Sequence, residues 1–418
     1  MLESYTRPIS HRAPNPDEFA KDLRKNFVGL DDHATTGEQI LEWLALAQRP
    51  LILAGPATIR GVGKQILDRL SQVLKVPVLG MESPRGVNDP SLGALAEVLP
   101  EADLIILLGK KLDYTLLPDG EPLFNKDCRF IQFDPDMAVL ELTGRALGQR
   151  QKQLMPLMTT YEKTDPGGSK KEQAKKTEKE VRPALFDPLP TAQQLINLAS
   201  QREWSRSDWF DKVSFAIAFR PPEWNSLASS PGEPLHALEI SRAVGQFLAG
   251  DDQAIFISDG GEFGQWAQSS IQAAHRIING PSGAIGNAIP FAIAARLARP
   301  DAKIVAMTGD GALGFSGMEF DTAVRYELPF IAVVGNDATW NAEYQIQLRE
   351  FGEDRAIGCQ LRPSRYDEMV KALGGFGCHV QQATELRAAL EDAHASNQPA
   401  CINVVMQNNP APNIRRNP

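Results

Sequence analysis

Apolar residues along the chain follow two alternating rhythms. Stretches whose apolar positions recur every three or four residues, as in "GEQILEWLALAQ" and "VGKQILDRLSQVL", are each followed by a short run that is apolar almost throughout, "PLILA" and "VPVL". The first rhythm predicts an amphipathic helix. The second predicts a strand buried on both faces, because a strand with one wet face would alternate. "ADLIILLG" and "CRFIQFD" add two more such runs, each ending in Gly or Asp. Residues 37–150 therefore read as an α/β domain on a parallel sheet, with strands over 50–54 and 76–79 among its members.

The pattern returns in "QAIFISDGG", "KIVAMTGDG", "PFIAVVGND" and "ACINVVMQ", which predict a second parallel-sheet domain over residues 183–408. Between the two lie residues 151–182, whose segment "EKTDPGGSKKEQAKKTEKEVR" is nearly devoid of apolar side chains and carries both charges. Such a stretch cannot bury enough surface to offset its ordering entropy and reads as a charged, flexible linker. Residues 1–36 read as a polar, proline-bearing arm and 409–418 as a polar tail. The expected fold class is thus α/β, two Rossmann-like parallel-sheet domains.

Composition narrows the function. The 418 residues are 43% hydrophobic and 23% charged, enough for a core in each domain. A net charge of −9 argues against nucleic acid or anionic membrane as partners, since both would repel the chain. Four widely spaced cysteines contain no CxxC, so neither a disulfide framework nor a zinc knuckle is expected. With no signal-like h-region and no run of 18 or more apolar residues, the expected setting is cytoplasmic.

Ligands of open parallel sheets bind beyond the carboxyl ends of the strands, where "SDGGEFG", "TGDGALG" and "GNDATWN" lie. Asp310 stands between two glycines, and Asp337 follows 27 positions later, one helical crossover on. On neighbouring strands the two carboxylates would meet, and with a main-chain carbonyl and phosphate oxygens they would make an all-oxygen site suited to Mg²⁺. Taken singly, either aspartate reads as a helix N-cap; the pairing with a Gly-Asp-Gly turn favours the metal. The lone "AGPA" after the strand at 50–54 reads as turn geometry at Gly55.

These residues resemble the diphosphate and metal motif of thiamine diphosphate (ThDP) enzymes of the acetolactate synthase and 2-hydroxyacyl-CoA lyase-like superfamily. The resemblance implies that Asp310, Asp337 and the carbonyl of Thr339 hold Mg²⁺, which bridges to the cofactor diphosphate. Asp337 departs from the commoner Asn. Gly309, Gly311, Ala312 and Trp340 would border the cofactor. "GAIGNAIPFAIAARLARP" is similar to the family's glycine-rich segment and sets Ile285 where a bulky apolar side chain supports the bent cofactor. "SDGGEFGQWA" resembles the other diphosphate-side loop and brings Gly261, Glu262, Phe263 and Gly264 near, with Glu262 where a neutral donor is more usual.

By the same resemblance, residues 37–150 match the middle domain and 183–408 the diphosphate-binding (PP) domain. The pyrimidine-binding (PYR) domain that supplies the activating glutamate has no counterpart here, so no catalytic residue is expected in this chain. The expected assembly is a large subunit completed by a separate PYR subunit, two copies of each or a multiple. The expected activity is a ThDP- and Mg²⁺-dependent carbon–carbon lyase or carboligase. Its substrate would be a small molecule, a 2-oxo acid or a 2-hydroxyacyl compound that includes CoA thioesters, and the "GND" turn with "GFSGMEFDTAVRYELP" leans toward the lyases. No FAD contact motif is recognisable. A non-catalytic subunit of the same fold and a truncated longer enzyme are the alternatives.

Weaker signals have plain readings. His236 and His275 read as structural or surface, Phe315, Met318 and Phe320 as helix core, and Arg415 and Arg416 as a frayed terminus. Lys110 and Lys111 are candidates for CoA phosphates, with ordinary surface lysines as the simpler reading.

Overall fold

The computed structural model describes residues 33–116, 124–125, 128–136, 138–139, 143, 158–160, 181–183, 187–280 and 282–416. The expected linker lies outside these residues except for a short antiparallel ribbon, Met158–Thr160 with Val181–Pro183. The first helix begins at His33, within the stretch expected as an arm.

One compact unit holds α1 (His33–Leu46), β1 (Pro50–Ala54), α2 (Val62–Leu74), β2 (Val78–Gly80), β3 (Leu104–Leu108) and β4 (Arg129–Phe133). Its four strands run parallel in the order β2-β1-β3-β4. Every residue of β1 and β3 is buried, as their unbroken apolar runs require.

Two later helices, α3 (Pro188–Ala199) and α4 (Asp208–Ala218), complete this unit, which runs through Ala216. The expected boundary at residue 183 is therefore corrected. The apolar stripe Ala192, Leu195, Ile196 and Ala199 of α3 is buried among Leu67 and Leu70 of α2 and the strand residues Ile52 and Ile106. The indole of Trp209 on α4 donates to the Pro50 carbonyl (2.9 Å). A sequence boundary drawn at the charged stretch misses both helices, because chain continuity does not reveal which sheet a helix covers. In the same unit Lys110 is buried, its ammonium held by Thr115 (2.6 Å), the Lys111 carbonyl (2.8 Å) and Asp113 (3.2 Å). It is a structural lysine, and Lys111 alone of the pair is exposed.

The other unit comprises Ser83–Ala94 and the chain from Ile217 onward. Its elements are α5 (Ala237–Leu248), β5 (Ile255–Ser258), α6 (Gly261–Ser270), β6 (His275–Ile278), α7 (Ala288–Ala298), β7 (Ile304–Gly309) and α8 (Asp310–Ser316). There follow α9 (Glu319–Arg325), β8 (Ile331–Asn336), α10 (Asn341–Phe351), α11 (Tyr366–Ala372), β9 (Phe376–Val380), α12 (Ala383–Ala395) and β10 (Ala400–Val405). The six strands are parallel in the order β9-β10-β8-β7-β5-β6, with an apolar core on each face. β6 and β9, the two strands not predicted, are its edges; their half-buried residues break the apolar run that marks an interior strand.

After β5 the chain goes to the edge strand β6 and then returns to the opposite side of β5 as β7. The connection changes direction there, which opens a crevice beyond the carboxyl ends. Gly309 pairs with Gly335 across β7 and β8, and Ser258 with Met307 across β5 and β7, so the loops that follow these three strands emerge side by side. Among the described residues, no helix is long and apolar enough to cross a membrane.

Candidate functional site

The loops after β5, β7 and β8 border a cleft of about 80 Å³. From the first loop Gly261, Glu262 and Phe263 line it, and Ile285 comes from the loop before α7. Gly309, Asp310, Gly311 and Ala312 follow from β7, and Asp337, Thr339 and Trp340 from β8. Eleven of the twelve residues singled out in the sequence thus share one cavity. The exception is Gly264, which does not line it. A Cβ there would fall 2.1 Å from the Asp259 carbonyl oxygen, so this glycine lets α6 start tight against its own strand.

Two close approaches shape the wall. A Cβ on Gly311 would meet the Trp340 ring at 2.8 Å, so the indole lies directly on the first turn of α8. Phe315 then packs edge-on against Trp340, with centroids 6.0 Å apart. Gly309 has nothing within 4 Å of a Cβ position, leaving its backbone open to a ligand.

Neither aspartate is a helix cap. The N-cap of α8 is Gly309, and Asp310 Oδ1 accepts from the amide of Gly311 (2.9 Å). Its Oδ2 is buried and has no hydrogen-bond partner among the described residues. Asp337 Oδ1 accepts from the amide of Thr339 (3.1 Å), closing a turn whose middle residue, Ala338, has φ +54°. That turn is clamped by a following segment, with the Trp340 amide donating to Cys359 and the Leu361 amide to Ala338, both at 2.7 Å.

Burial pushes the Asp310 carboxyl up to about 6, and the amides of Gly311, Ala338 and Thr339 offset only part of that cost. Burial and then the neighbouring Asp310 charge push Asp337 up to about 7. Two adjoining carboxyl groups that resist ionisation, one with an unpartnered buried oxygen, fit a hard divalent cation. Among the described residues no group of three or more His, Cys, Asp and Glu converges, so such a cation would take its other donors from backbone carbonyls and from the ligand.

Glu262, at the start of α6, is 8% exposed, and burial raises its pKa. Gln265 donates to its Oε2 (2.9 Å). Arg85 favours its charge and Glu343 opposes it. The polar tail is anchored at its start: the Trp266 indole donates to the Pro410 carbonyl and the Asn341 amide to the Asn409 carbonyl, both at 2.8 Å.

Asp259 escaped the sequence reading. Its carboxylate is 1% exposed and accepts the amides of Gly260 (2.8 Å), Gly286 (3.0 Å) and Ala288 (3.1 Å), with Thr308 Oγ1 at 3.5 Å. It therefore ties the loop carrying Ile285 to the end of β5. The signal was an Asp directly before two glycines, which also reads as a plain turn. His236 is the N-cap of α5 and accepts from the Leu238 amide (3.1 Å). Of the expected helix core, Phe320 is buried whereas Phe315 and Met318 are 67% and 65% exposed.

Residues 38–146 match the family description "Thiamine pyrophosphate enzyme, central domain", and residues 259–404 match "Thiamine pyrophosphate enzyme, C-terminal TPP binding domain". The chain is 30% identical over 371 residues to the acetolactate synthase large subunit IlvG of Mycobacterium tuberculosis, covering 87% of this chain and 60% of that protein. It is 25% identical over 387 residues to human 2-hydroxyacyl-CoA lyase 1, covering 86% and 60%. It is 25% identical over 372 residues to oxalyl-CoA decarboxylase of Escherichia coli, covering 87% and 59%. The chain thus spans about 60% of the length of these curated relatives. A solved structure, the thiamine diphosphate-dependent 4-hydroxybenzoylformate decarboxylase of Rhodococcus jostii RHA1, superposes with a TM-score of 0.65 at 18% identity, over 89% of this chain and 64% of that one.

Proposed function

Because the chain belongs to the thiamine pyrophosphate enzyme family, we propose that it is a ThDP- and Mg²⁺-dependent lyase or carboligase of 2-oxo acids or 2-hydroxyacyl compounds. The observation that carries this reading is the unpartnered, buried Oδ2 of Asp310 beside Asp337 at the ends of adjacent parallel strands. Asp310, Asp337 and the Thr339 carbonyl would hold Mg²⁺, and the open backbone at Gly309 and Gly261 would receive the diphosphate. Bound there, ThDP supplies a carbon nucleophile that cleaves or forms a bond next to a carbonyl.

The chain's own residues bind and orient. Asp259 fixes the loop that presents Ile285, whose Cγ2 lies so close to Gly260 that a Cβ there would sit 2.8 Å away. This gives the cleft a firm apolar support on the β5 side. Trp340 walls it on the β8 side, with Phe315 packed edge-on against the indole. Asp310 and Asp337 release their protons when a cation arrives, so uptake of metal tightens as pH rises through about 6 to 7.

We further propose that the activating glutamate is supplied by a PYR domain on a second polypeptide, two copies of each chain or a multiple. In support, Phe315, Met318, Ile346, Phe351 and Ile357 are apolar and exposed on elements that begin at the cleft or follow it. Exposed apolar side chains suit a protein-binding face where they adjoin one another. The similarity to IlvG and to 2-hydroxyacyl-CoA lyase 1 supports carbon–carbon chemistry of either kind, and the lyase side is preferred on the "GND" turn. Four unpaired thiols suit a reducing cytoplasm.

The test is calorimetric titration of ThDP into the chain isolated from its own cells, with and without Mg²⁺, alongside native mass spectrometry of the same sample. Metal-dependent binding and a co-purifying chain of one-domain size are expected. A sample that binds no ThDP in the presence of Mg²⁺, whatever chains accompany it, would defeat the cofactor reading. Bound ThDP with no second chain would defeat the split assembly alone.

A further inference from the structure

A polar stripe crosses one face of the six-stranded sheet and ends at the turn that carries Asp337. Val334 pairs with Asn403 across β8 and β10, and Asn403 with His379 across β10 and β9. Alternate residues of a strand share a face, so Asn336 lies diagonally beside Asn403 on the same side of the sheet. Asp367, in the first turn of α11, joins them, and all three side chains are buried.

These groups partner one another. The Asn336 side-chain amide donates to the Ser364 carbonyl (2.9 Å) and to Asn403 Oδ1 (3.1 Å). The Asn403 amide donates to the same Ser364 carbonyl (3.1 Å) and to Asp367 Oδ1 (3.2 Å). Arg365 closes the far end with hydrogen bonds to both Asp367 oxygens (3.0 and 2.7 Å). At the near end Asn336 Oδ1 accepts from the Ala338 amide (3.3 Å), inside the turn whose Asp337 and Thr339 border the cleft. Among the described residues, the cleft is lined by neither asparagine.

Packing alone does not require such a stripe. Buried amides gain little net stability over apolar side chains that fill the same space, and Ala332, Val334 and Cys401 on this face are apolar. What the stripe fixes is one turn. Ala338 holds φ +54°, a conformation unfavourable for a residue with a side chain, which persists only where its surroundings over-determine it. Both amide hydrogens of Asn336 are taken by Ser364 and Asn403, so the planar group has its oxygen left to face the turn.

We propose that Asn403 is a positioning residue for cation binding, acting through Asn336 to hold the turn of Asp337 and Thr339 in its receiving shape before the metal arrives. The proposal rests on the reading above, that Asp310, Asp337 and the Thr339 carbonyl hold Mg²⁺. Groups that orient a metal's ligands from behind govern affinity although they never touch the ion.

The experiment uses the full chain in excess ThDP, with any co-purifying chain retained, and titrates Mn²⁺ while electron paramagnetic resonance follows the free ion. The parent, Asn336→Ala, Asn403→Leu and the double variant are compared. Asn336→Ala should weaken Mn²⁺ binding by roughly 10- to 100-fold and Asn403→Leu by roughly 3- to 10-fold. The two losses should not add: in the Asn336→Ala background, Asn403→Leu should change affinity by less than about twofold, because its route to the turn is already cut. Denaturant unfolding of the same samples in EDTA separates positioning from support of the fold. A merely structural asparagine would lower stability and leave the Mn²⁺ affinity of the folded protein unchanged, and that result overturns the proposal, as does an additive loss in the double variant. Asn403→Ala, too small to clash, carries the same cycle if Asn403→Leu does not fold. A parent that binds no Mn²⁺ in the presence of ThDP overturns the cation reading itself, whereas a parent that binds it no better than the Asn403 variants overturns the role of Asn403 alone.

Discussion

Replacing Asp337 by Asn should make the metal-free protein more stable and the metal-bound protein less so. Asp337 is raised from an ordinary 3.8 to about 7, first by burial and then by the charge of Asp310. That rise corresponds to roughly 4 kcal/mol at a pH where the group is forced to ionise. A carboxyl whose folded pKa lies above its unfolded value contributes stability in acid and loses it as pH climbs through the folded value. The metal-free parent should therefore weaken between about pH 4 and pH 7, the window set by those two values. The amide introduced by Asp337→Asn carries no proton to lose. Its oxygen can still accept the Thr339 amide, so the turn is preserved. Asp337 is only partly buried and is coupled to Asp310, so a gain of about 2–4 kcal/mol is expected at pH 8 in EDTA. In a domain of this size that is roughly 4–16 °C in Tm. At pH 5 the difference should fall to about 0.8–1.6 kcal/mol. Saturating Mg²⁺ with ThDP should stabilise the parent by about 3 kcal/mol at a hundredfold excess over Kd and the variant far less. Thermal unfolding across pH 5–8, with and without the ligands, measures all of this. A variant less stable than the parent at pH 8 in EDTA, or one that Mg²⁺ stabilises as fully as the parent, would refute the reasoning.

Three further outcomes follow from the same geometry. Ala338→Gly removes a side chain from a residue at φ +54° and should raise stability by about 0.5–1 kcal/mol in urea unfolding, after the entropy of glycine is allowed for; a loss would show that the turn is unstrained. Asp259→Asn sets an amide against backbone donors that now share two carboxylate oxygens, and should cost about 1–3 kcal/mol while lowering ThDP affinity, read by denaturation and calorimetry on one sample. Gly311→Ala drives a methyl into the Trp340 ring and should cost about 1–3 kcal/mol, with a shift in tryptophan emission as the indole moves.

The interior of both sheets was legible because parallel strands covered on both faces are predominantly apolar: β1 and β3 are so throughout, and the only polar side chains in β5, β7, β8 and β10 are Ser258, Thr308, Asn336 and Asn403. The edges of the six-stranded sheet were not, since β6 and β9 mix half-buried polar residues with apolar ones and carry no strand rhythm. Asp310 and Asp337 stood out through their glycine neighbours and their separation by one crossover. Asp259 did not, because what it does depends on amides 27 and 29 residues away that no local pattern reveals. The same is true of α3, whose amphipathic stripe is plain in sequence although the sheet it covers is not. Phe315 and Met318 were misread for the opposite reason. Their spacing is that of a buried helix face, and nothing in spacing records that the face is left open.

The membership of Ser83–Ala94 bears on how such a protein can be cut and recombined. The described chain passes between its two compact units at residues 82–83, 94–95 and 216–217. A single crossover between homologous genes, placed anywhere along the chain, cannot exchange one unit and leave the other whole. A graft that began at Ile217 would leave behind the strip that packs on α6. Transplanting the unit intact takes two segments, and laboratory chimeras that move only the later one should come out soluble less often than those that move both.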